Sequence, residues 1–225
     1  MISIIVFPGS NCDRDLKVAI EKVVKTKVEF VWHKTTHIKN TKILLIPGGF
    51  SFGDHLRAGS LASRSPAINE VIRYSKKGVP IVGICNGFQI LTECGLLPGV
   101  LLKNVVPKFL CKVVKLKVNN KTPFTKMYKK DQIINFPIAH SQGNYFIEMN
   151  QLENIEKNNQ IVFRYCSGEG NVDIKNNPNG SLLNIAGVTN TKKNVIGLMP
   201  HPERAVGPRN LKDGSLFFKS LRDFL

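Results

Sequence analysis

The 225-residue chain is poor in the residues that hold disulfide-linked or metal-bound folds together. Its five cysteines are odd in number and form no C-x-x-C pair, which argues against a disulfide framework and a zinc ribbon. No apolar run approaches the roughly 18 residues of a membrane span. Residues 2–7 are typical of a strand and lack the basic start of a signal peptide. We therefore predict a cytoplasmic protein, in a reducing compartment, without a membrane segment.

Acidic residues are also scarce. The chain has 16 Asp and Glu against 32 Lys and Arg, a formal net charge of +16. Such a balance fits a surface for nucleic acid or for an acidic partner. However, 24 of the 32 basic residues are Lys, and they are spread along the chain rather than gathered in one block. We interpret the charge as a solvated surface that can steer a phosphorylated metabolite or an acidic subunit, and we expect no nucleic-acid binding.

Short apolar runs alternate with amphipathic stretches in the first half of the chain, which is typical of parallel β-α-β units. The predicted strands there are 2–7, 28–32, 43–46 and 79–84, and the predicted helices are 15–26, 67–77 and 88–94. The second half differs, because residues 108–118 alternate apolar and basic side chains as a half-exposed antiparallel strand does. Further strands are predicted at 161–165, 185–188 and 195–198, a loop at 176–181 and a terminal helix at 216–224.

We predict a single α/β domain over residues 1–225. Its expected core is an open, mostly parallel twisted sheet with helices on both faces, extended by antiparallel strands from the second half. In such sheets ligands bind beyond the carboxyl ends of the strands. The loops at 8–11 and 47–50 and the turn at Cys85 are therefore expected to share one edge of the sheet.

The turn at Cys85 carries the strongest functional signal. It follows a predicted strand, precedes a predicted helix and has Gly83 and Gly87 two residues on either side, as in a nucleophile elbow. Glycine permits a tight, strained turn, and a helix N-terminus favours the thiolate form that attacks a carbonyl carbon. Since a free cysteine is more often a small buried hydrophobe, the assignment depends on finding its catalytic partners.

A nucleophilic cysteine needs a base and a group that orients the base. His201 stands between Pro200 and Pro202, which we expect to exclude a regular helix and to hold the backbone extended. Side chains two residues apart then project to the same side, so that Glu203 can reach the imidazole. The sequence therefore predicts a triad of Cys85, His201 and Glu203, and a turn histidine between prolines is the alternative.

Attack on a carbonyl creates an oxyanion, which needs preorganised N–H donors. One donor is predicted to be the backbone N–H of Asn86, directly after the nucleophile. The second is predicted at Gly49, in the Gly48–Gly49 pair at the end of the strand 43–46. Gly48 also lets the backbone come close to a substrate. The alternative for this glycine pair is an ordinary turn.

Cys12 is the rival nucleophile. Asp13 and Asp15 flank it, nearby negative charge disfavours a thiolate, and no histidine is close in sequence. We therefore expect Cys12 to have a structural role in a loop or to lie near a partner interface. The remaining cysteines are predicted to be packing residues: Cys94, Cys111 and Cys166. Three of the histidines outside these motifs are His33, His37 and His55. They lack the spacing of metal ligands, and no metal is predicted.

These motifs together resemble the class I, or triad, glutamine amidotransferases, on the segments 47–49, 83–89 and 201–203. Within that family they are similar to the glutaminase subunits of phosphoribosylformylglycinamidine synthase. The segments that carry this closer resemblance are 7–13, 47–54, 177–181 and 197–204. The resemblance implies that Cys85 attacks the side-chain amide of glutamine, that ammonia leaves with a proton from His201, and that water then hydrolyses a glutamyl thioester.

The resemblance also implies contacts with the substrate. Gln89 matches the position that contacts glutamine, and the segment 137–143, which includes His140, matches the one whose backbone holds the α-carboxylate. The chain departs from the family's pattern at Ser141 and Gln142, where Gly and Glu are usual. If that Glu carboxylate anchors the substrate ammonium, Gln142 weakens binding, whereas the change matters little if only backbone groups act there. A structural loop histidine is the alternative for His140.

Partners that use the ammonia are implied as well. They are the large subunit PurL, which uses ATP and magnesium and acts on phosphoribosylformylglycinamide, and a small accessory subunit, PurS. No cofactor is implied in this chain, and low glutaminase activity is expected of it alone. The alternatives left open are the glutaminase subunit of another synthase, a cysteine hydrolase or protein-repair protein on a similar elbow, and a basic RNA-binding protein with a degenerate site.

Overall fold

The computed structural model describes residues 1–207 and 212–225. Its α-helices are α1 (Asp13–Val23), α2 (Pro66–Lys76), α3 (Asn86–Glu93), α4 (Met149–Lys157) and α5 (Asp213–Ser220). Its strands are β1 (Ile2–Val6), β2 (Val28–Trp32), β3 (Ile43–Ile46), β4 (Ile81–Ile84), β5 (Val100–Leu102), β6 (Leu110–Val118), β7 (Ile133–His140), β8 (Asn144–Phe146), β9 (Ile161–Tyr165), β10 (Ile185–Thr189) and β11 (Val195–Leu198). Across these residues, no helix combines the length and the apolar character needed to cross a membrane.

Nine strands form one sheet in the order β2-β1-β3-β4-β11-β10-β9-β6-β7, and β5 pairs with β8 separately. Neighbouring strands are parallel from β2 to β11 and antiparallel from β11 to β7. The predicted parallel sheet with an antiparallel extension is therefore confirmed. The extension continues the same sheet, so that β11 has a parallel neighbour on one side and an antiparallel neighbour on the other.

The central strands are covered by protein on both faces. Every residue of β3, β4 and β11 is buried, as expected of the continuous apolar runs that form parallel strands. The chain passes from β1 to β2 in one direction along the sheet and from β3 to β4 in the other. Because crossovers between parallel strands are right-handed, α1 and α2 lie on opposite faces.

Most predicted elements lie where the pattern indicates, and the shifted bounds have local causes. Helix α1 ends at Val23 rather than at 26, because Lys25 has a φ of 61°, which a right-handed helix cannot contain. Strand β4 starts at Ile81 rather than at 79, after a proline that has no N–H to donate to a neighbouring strand. The last helix begins at Asp213 instead of 216, and its end is a 3-10 turn.

Strand β7 was not predicted, although its residues alternate between half-buried and buried positions along its whole length. Pro137 lies within the strand, and proline argues against a central strand. The structure places β7 at the edge of the sheet, where a missing N–H is tolerated. The carbonyl of Pro137 accepts a hydrogen bond from the His201 backbone N–H at 2.8 Å. The short strands β5 and β8 and the helix α4 were also not predicted.

The register of β4 against β11 brings distant parts of the chain together. Ile84 pairs with Leu198, and the backbone N–H of Cys85 donates to the Leu198 carbonyl at 2.8 Å. Cys85 therefore lies beside the chain as it leaves β11 toward residue 201. The loops after β1 and β3 meet at the same edge, where Ser10 and Gly49 form an isolated antiparallel bridge. The predicted sharing of one edge by the three loops is confirmed.

The glycines around Cys85 serve close packing. A Cβ at Gly87 would lie 2.1 Å from the Ile46 carbonyl oxygen, and a Cβ at Gly83 would lie 2.6 Å from the Gly87 carbonyl oxygen. Positive φ values occur at neither glycine, whereas Cys85 itself has a φ of 51°. The strain of the turn is thus concentrated in the cysteine, and the glycines let α3 approach the sheet.

Gly87→Ala is expected to destabilise the fold by about 1–3 kcal/mol, because the added methyl must push α3 away from β3. Denaturant unfolding followed by circular dichroism gives the free-energy difference. Gly207→Ala is the control, since a Cβ there meets no atom of the described residues within 4 Å. It should change stability by less than about 0.5 kcal/mol. Wild-type stability in Gly87→Ala would contradict the close approach.

Candidate active site

Cys85 lies at the turn between β4 and α3, in the elbow that the sequence predicts. Its backbone has φ 51° and ψ −105°, a combination that residues with a side chain rarely adopt. The residue is 5% exposed, and its Sγ lies 3.7 Å from the Ala139 carbonyl oxygen. As the N-cap of α3, Cys85 stands at the positive end of a helix dipole, which favours a thiolate.

His201 and Glu203 form a buried pair. The Nδ1 of His201 lies 2.6 Å from Oε1 of Glu203, and the two residues are 1% and 4% exposed. The expected extended backbone is wrong, because Pro202–Ala205 form a 3-10 turn. Proline suits the first position of such a turn, where no N–H is needed. The Glu203 carboxylate therefore reaches the His201 imidazole because the backbone turns between them, and not because both side chains project from one face of an extended strand.

The imidazole of His201 lies beside two thiols. Burial lowers its pKa, but the Glu203 carboxylate and the thiols of Cys85 and Cys12 outweigh burial and hold the pKa well above its usual value. Because Glu203 occupies Nδ1, the other ring nitrogen, Nε2, is the one left for a thiol, and it has no regular hydrogen bond among the described residues. The ring is therefore prepared to accept a proton from a neighbouring cysteine.

Cys12 belongs to the same cluster, which the sequence did not indicate. Polar atoms of Cys12, His201 and Glu203 lie within 4.8 Å of one another. The Sγ of Cys12 accepts a hydrogen bond from Nη2 of Arg204 at 3.1 Å, and Nε of Arg204 donates to Asp15 at 3.4 Å. The histidine that is far from Cys12 in sequence is thus adjacent to it in space. Only the fold, which joins the loop after β1 to the end of β11, reveals this contact.

A small cavity opens beside Cys85. Its walls come from the loop after β3, the elbow, α3 and the end of β7: Gly49, Phe50, Asp54, Cys85, Gln89, Ala139, His140, Ser141 and Gln142. Most of the predicted substrate residues are therefore gathered around the cysteine. Cys12 does not line this cavity, so that Cys85 is the thiol positioned to meet a substrate there. The sequence predicted no individual role for Phe50 or Asp54, although both lie in the glycine-containing segment 47–54, and it indicated Ala139 only as part of the segment 137–143.

The local hydrogen bonds show how the two predicted oxyanion donors, the N–H groups of Gly49 and Asn86, are oriented. The Gly48 carbonyl accepts hydrogen bonds from the backbone N–H groups of Asn11 and Cys12 at 3.3 and 3.2 Å. Since the peptide is trans, the N–H of Gly49 points in the opposite direction. The N–H of Asn86, in the first turn of α3, has no acceptor within the helix. Gly48 itself lies against the cluster, because a Cβ there would be 2.8 Å from Cε1 of His201.

Gln89 joins helix α3 to the opposite wall of the cavity. Its Nε2 donates to the Gln142 carbonyl at 2.7 Å, and its Oε1 accepts from Nδ2 of Asn86 at 2.9 Å. Asn86 Oδ1 in turn accepts from the backbone N–H of Ser51 at 3.2 Å. This network fixes the positions of Gln89 and Gln142. The direct contact of Gln89 with glutamine stays a prediction.

His140 is a buried, neutral part of the wall. Burial first and the charge of His201 second lower its pKa to about 4. Its Nδ1 lies 3.2 Å from Oδ1 of Asn104, and its Nε2 has no partner among the described residues. A Cβ at Gly143 would lie 2.3 Å from the ring, so that the turn after β7 closes directly over the imidazole.

The remaining cysteines and histidines lie apart from the cluster. Cys111 is exposed, so its predicted packing role is wrong, because it lies on the solvent-facing part of β6. Burial raises the pKa of Cys94 to about 11 and also raises that of Cys166. Within the described part of the chain, three histidines join no group of potential metal ligands: His33, His37 and His55. The absence of a metal stays a prediction.

A larger groove lies elsewhere on the molecule. It has a volume of about 970 Å³ and runs between Val105, Val106 and the loop 177–184. Its walls include Arg164 and Glu156, which form an ion pair at 3.1 Å, but no cysteine or histidine. The nucleophilic chemistry therefore belongs to the smaller cavity at Cys85.

Comparison with known proteins gives concordant matches. The family model of the CobB/CobQ-like glutamine amidotransferase domain matches residues 1–213. The chain is 50% identical over 220 residues to the phosphoribosylformylglycinamidine synthase subunit PurQ of Pelagibacter ubique, covering 97% of this chain and 96% of that protein. It is 47% identical over 222 residues to the same subunit of Chlorobium chlorochromatii, covering 98% and 95%.

A comparison with solved structures gives a match that agrees with the sequence relatives. The chain is similar to a chain in the structure of PurLQS from Thermotoga maritima, with a TM-score of 0.85 and 40% identity. The match covers 99% of this chain and 97% of that one. The parallel and antiparallel parts of the sheet are therefore both shared with that protein.

Although the raised pKa of Asp54 acts in the opposite direction, the contribution of His140 to the free energy of unfolding is expected to fall as the pH falls from 6.5 toward 4. Its pKa is about 4 in the folded state against an ordinary 6.5, so the unfolded state takes up the proton first. The loss in the free energy of unfolding that His140 contributes reaches about 3 kcal/mol once the pH is below 4. Denaturant unfolding at several pH values, with His140→Asn as the variant that cannot titrate, isolates the contribution. Equal pH dependence in both proteins would contradict the buried neutral state.

Proposed function

The chain belongs to the family of CobB/CobQ-like glutamine amidotransferases, with the PurQ subunits of phosphoribosylformylglycinamidine synthase, and we propose that Cys85, His201 and Glu203 are its catalytic triad. Its function is that of the glutaminase subunit of this synthase in purine biosynthesis. The observation that supports the triad most strongly is the buried His201–Glu203 pair beside Cys85, at a cavity that this cysteine lines.

The geometry supports a reaction in two stages. His201 takes the proton of the Cys85 thiol, and the thiolate attacks the side-chain amide carbon of glutamine. The developing oxyanion accepts hydrogen bonds from the N–H groups of Gly49 and Asn86. The carbon–nitrogen bond then breaks as His201 returns the proton to the leaving nitrogen, which gives ammonia and a glutamyl thioester on Cys85.

Water completes the cycle. His201 accepts a proton from a water molecule that attacks the thioester carbonyl. The carbon–sulfur bond then breaks as His201 returns this proton to the sulfur, which releases glutamate and restores the thiol of Cys85. Glu203 holds the imidazole in one tautomer throughout and stabilises its protonated form. The raised pKa of His201 is consistent with a ring that carries the proton between steps.

The ammonia passes to a synthase partner. The similar Thermotoga maritima chain comes from a PurLQS structure, and the partners of this chain are accordingly PurL and PurS. PurL, using ATP and magnesium, would convert formylglycinamide ribonucleotide to formylglycinamidine ribonucleotide, and we propose no cofactor in this chain. We also propose a cytoplasmic location, since the five cysteines are free and the catalytic thiol must stay reduced.

Glutamate release from glutamine tests this function. The wild-type chain is expected to release glutamate slowly alone and much faster with PurL, PurS, phosphoribosylformylglycinamide substrate and ATP. Cys85→Ala should abolish release in both conditions, because no other thiol lines the cavity. The matched control is Cys111→Ala, which removes an exposed thiol and should keep wild-type activity. Full activity in Cys85→Ala, or equal wild-type rates with and without partners, would contradict the proposal.

The same assay with Glu203→Gln separates the triad from other cysteine chemistries. Loss of the oriented base should lower kcat by roughly 10²–10⁴-fold. A cysteine hydrolase that does not use the His201–Glu203 pair would keep its rate in this variant.

A further inference from the structure

Asp54 is an acidic residue of the cavity wall that the triad mechanism does not use. It ends the 3-10 turn Ser51–Asp54, which follows β3, and it shares the cavity with Cys85. Its Oδ1 is buried and has no hydrogen-bond partner among the described residues. Burial raises its pKa to about 6, as expected of a carboxyl group that no cation compensates. The group therefore lacks a positively charged partner in the part of the chain that the structure describes.

The backbone that carries Asp54 is strained. Phe52, Gly53 and Asp54 have φ values of 54°, 68° and 54° in succession. Left-handed conformations are unfavourable for residues with a side chain and persist where the surrounding structure fixes them, often at ligand sites. Here the backbone N–H of Phe52 donates to the Pro8 carbonyl, and that of Gly53 donates to the Phe50 carbonyl, both at 2.8 Å. The loop thus keeps a carboxylate beside the cavity at a cost in strain.

Apart from Asp54 and the Cys85 thiol, the described residues that line the cavity offer no charge. Asp54 is the one carboxylate among these described residues, and none of them is a lysine or an arginine. His140 is neutral near pH 7, since its pKa is about 4. Gln142 is uncharged, and its Oε1 lies 3.5 Å from the backbone N–H of Ala58, against the same loop. A cation that enters the cavity therefore finds its counter-charge at Asp54.

The proposed substrate carries such a cation. Glutamine has an α-ammonium group at the far end of its side chain from the amide that Cys85 attacks. We propose that Asp54 binds this α-ammonium group and so selects free glutamine over amides that lack it. The inference rests on the proposed glutaminase function. An ion pair with the ammonium group would supply the missing partner of the buried oxygen, and a charge-assisted hydrogen bond is stronger than a neutral one.

A pair of substrates tests the assignment in the assembled synthase. Glutaramate is glutamine with hydrogen in place of the α-ammonium group, and its hydrolysis releases glutarate. Asp54→Asn is expected to lower kcat/KM for glutamine by about 10–100-fold, mainly through KM, because one charge-assisted hydrogen bond is lost. For glutaramate, wild type and Asp54→Asn should have equal kcat/KM. Asparagine is isosteric and tolerates the left-handed backbone, so the loop should be retained.

The control is Asp131→Asn, which changes a surface aspartate paired with Lys117 at 3.2 Å. It should leave both substrates unaffected. An equal loss for glutamine and glutaramate in Asp54→Asn, or no loss for glutamine, would overturn the assignment. If Asp54→Asn fails to assemble with its partners, the wild-type complex still tests the assignment. Similar wild-type kcat/KM values for glutamine and glutaramate would also overturn the role of Asp54. Absence of any Cys85-dependent hydrolysis by the wild type would instead contradict the glutaminase function itself.

Discussion

The parallel pairing of β4 with β11 is the constraint on which the site depends. Ile84 lies opposite Leu198, and the Cys85 N–H binds the Leu198 carbonyl, so the nucleophile is aligned with the strand that leads to His201. A slip of one residue would turn every side chain of either strand to the other face and separate the two groups. The packing of Gly87 in α3 against Ile46 in β3 helps to hold the backbone of Cys85 in its strained conformation, because it leaves α3 no room to relax.

Burial has opposite consequences for the ionisable groups of this site, depending on their partners. His201 lies next to the Glu203 carboxylate and two thiols, and its pKa is raised despite burial. His140 has a neutral amide for a partner and His201 nearby, and its pKa falls to about 4. Oδ1 of Asp54 has no partner within residues 1–207 and 212–225, and the pKa of this carboxyl rises to about 6. The site therefore combines a base that can hold a proton, a neutral histidine in the cavity wall and a carboxylate that has no counter-charge among the described residues.

The sequence predicted what depends on local pattern and missed what depends on tertiary contacts. The elbow at Cys85 and the strands around it follow from glycine placement and apolar runs, and the structure contains both. Strand β7 was missed because Pro137 interrupts the signal, although an edge strand tolerates it. The neighbourhood of Cys12 and His201 could not be predicted, since it arises where two distant loops meet. The cavity position of Asp54 depends on three successive left-handed residues, which no periodicity indicates.

We propose that Cys85, and not the adjacent Cys12, is the nucleophile served by His201. The most direct measurement is covalent labelling of the assembled synthase with the chloroketone analogue of glutamine, followed by digestion and mass spectrometry. The attacking thiolate forms a carbon–sulfur bond and displaces chloride, so the adduct marks the nucleophile. We expect one adduct, on Cys85, and we expect glutamine to suppress it by competition. An adduct on Cys12 with Cys85 unmodified would contradict it.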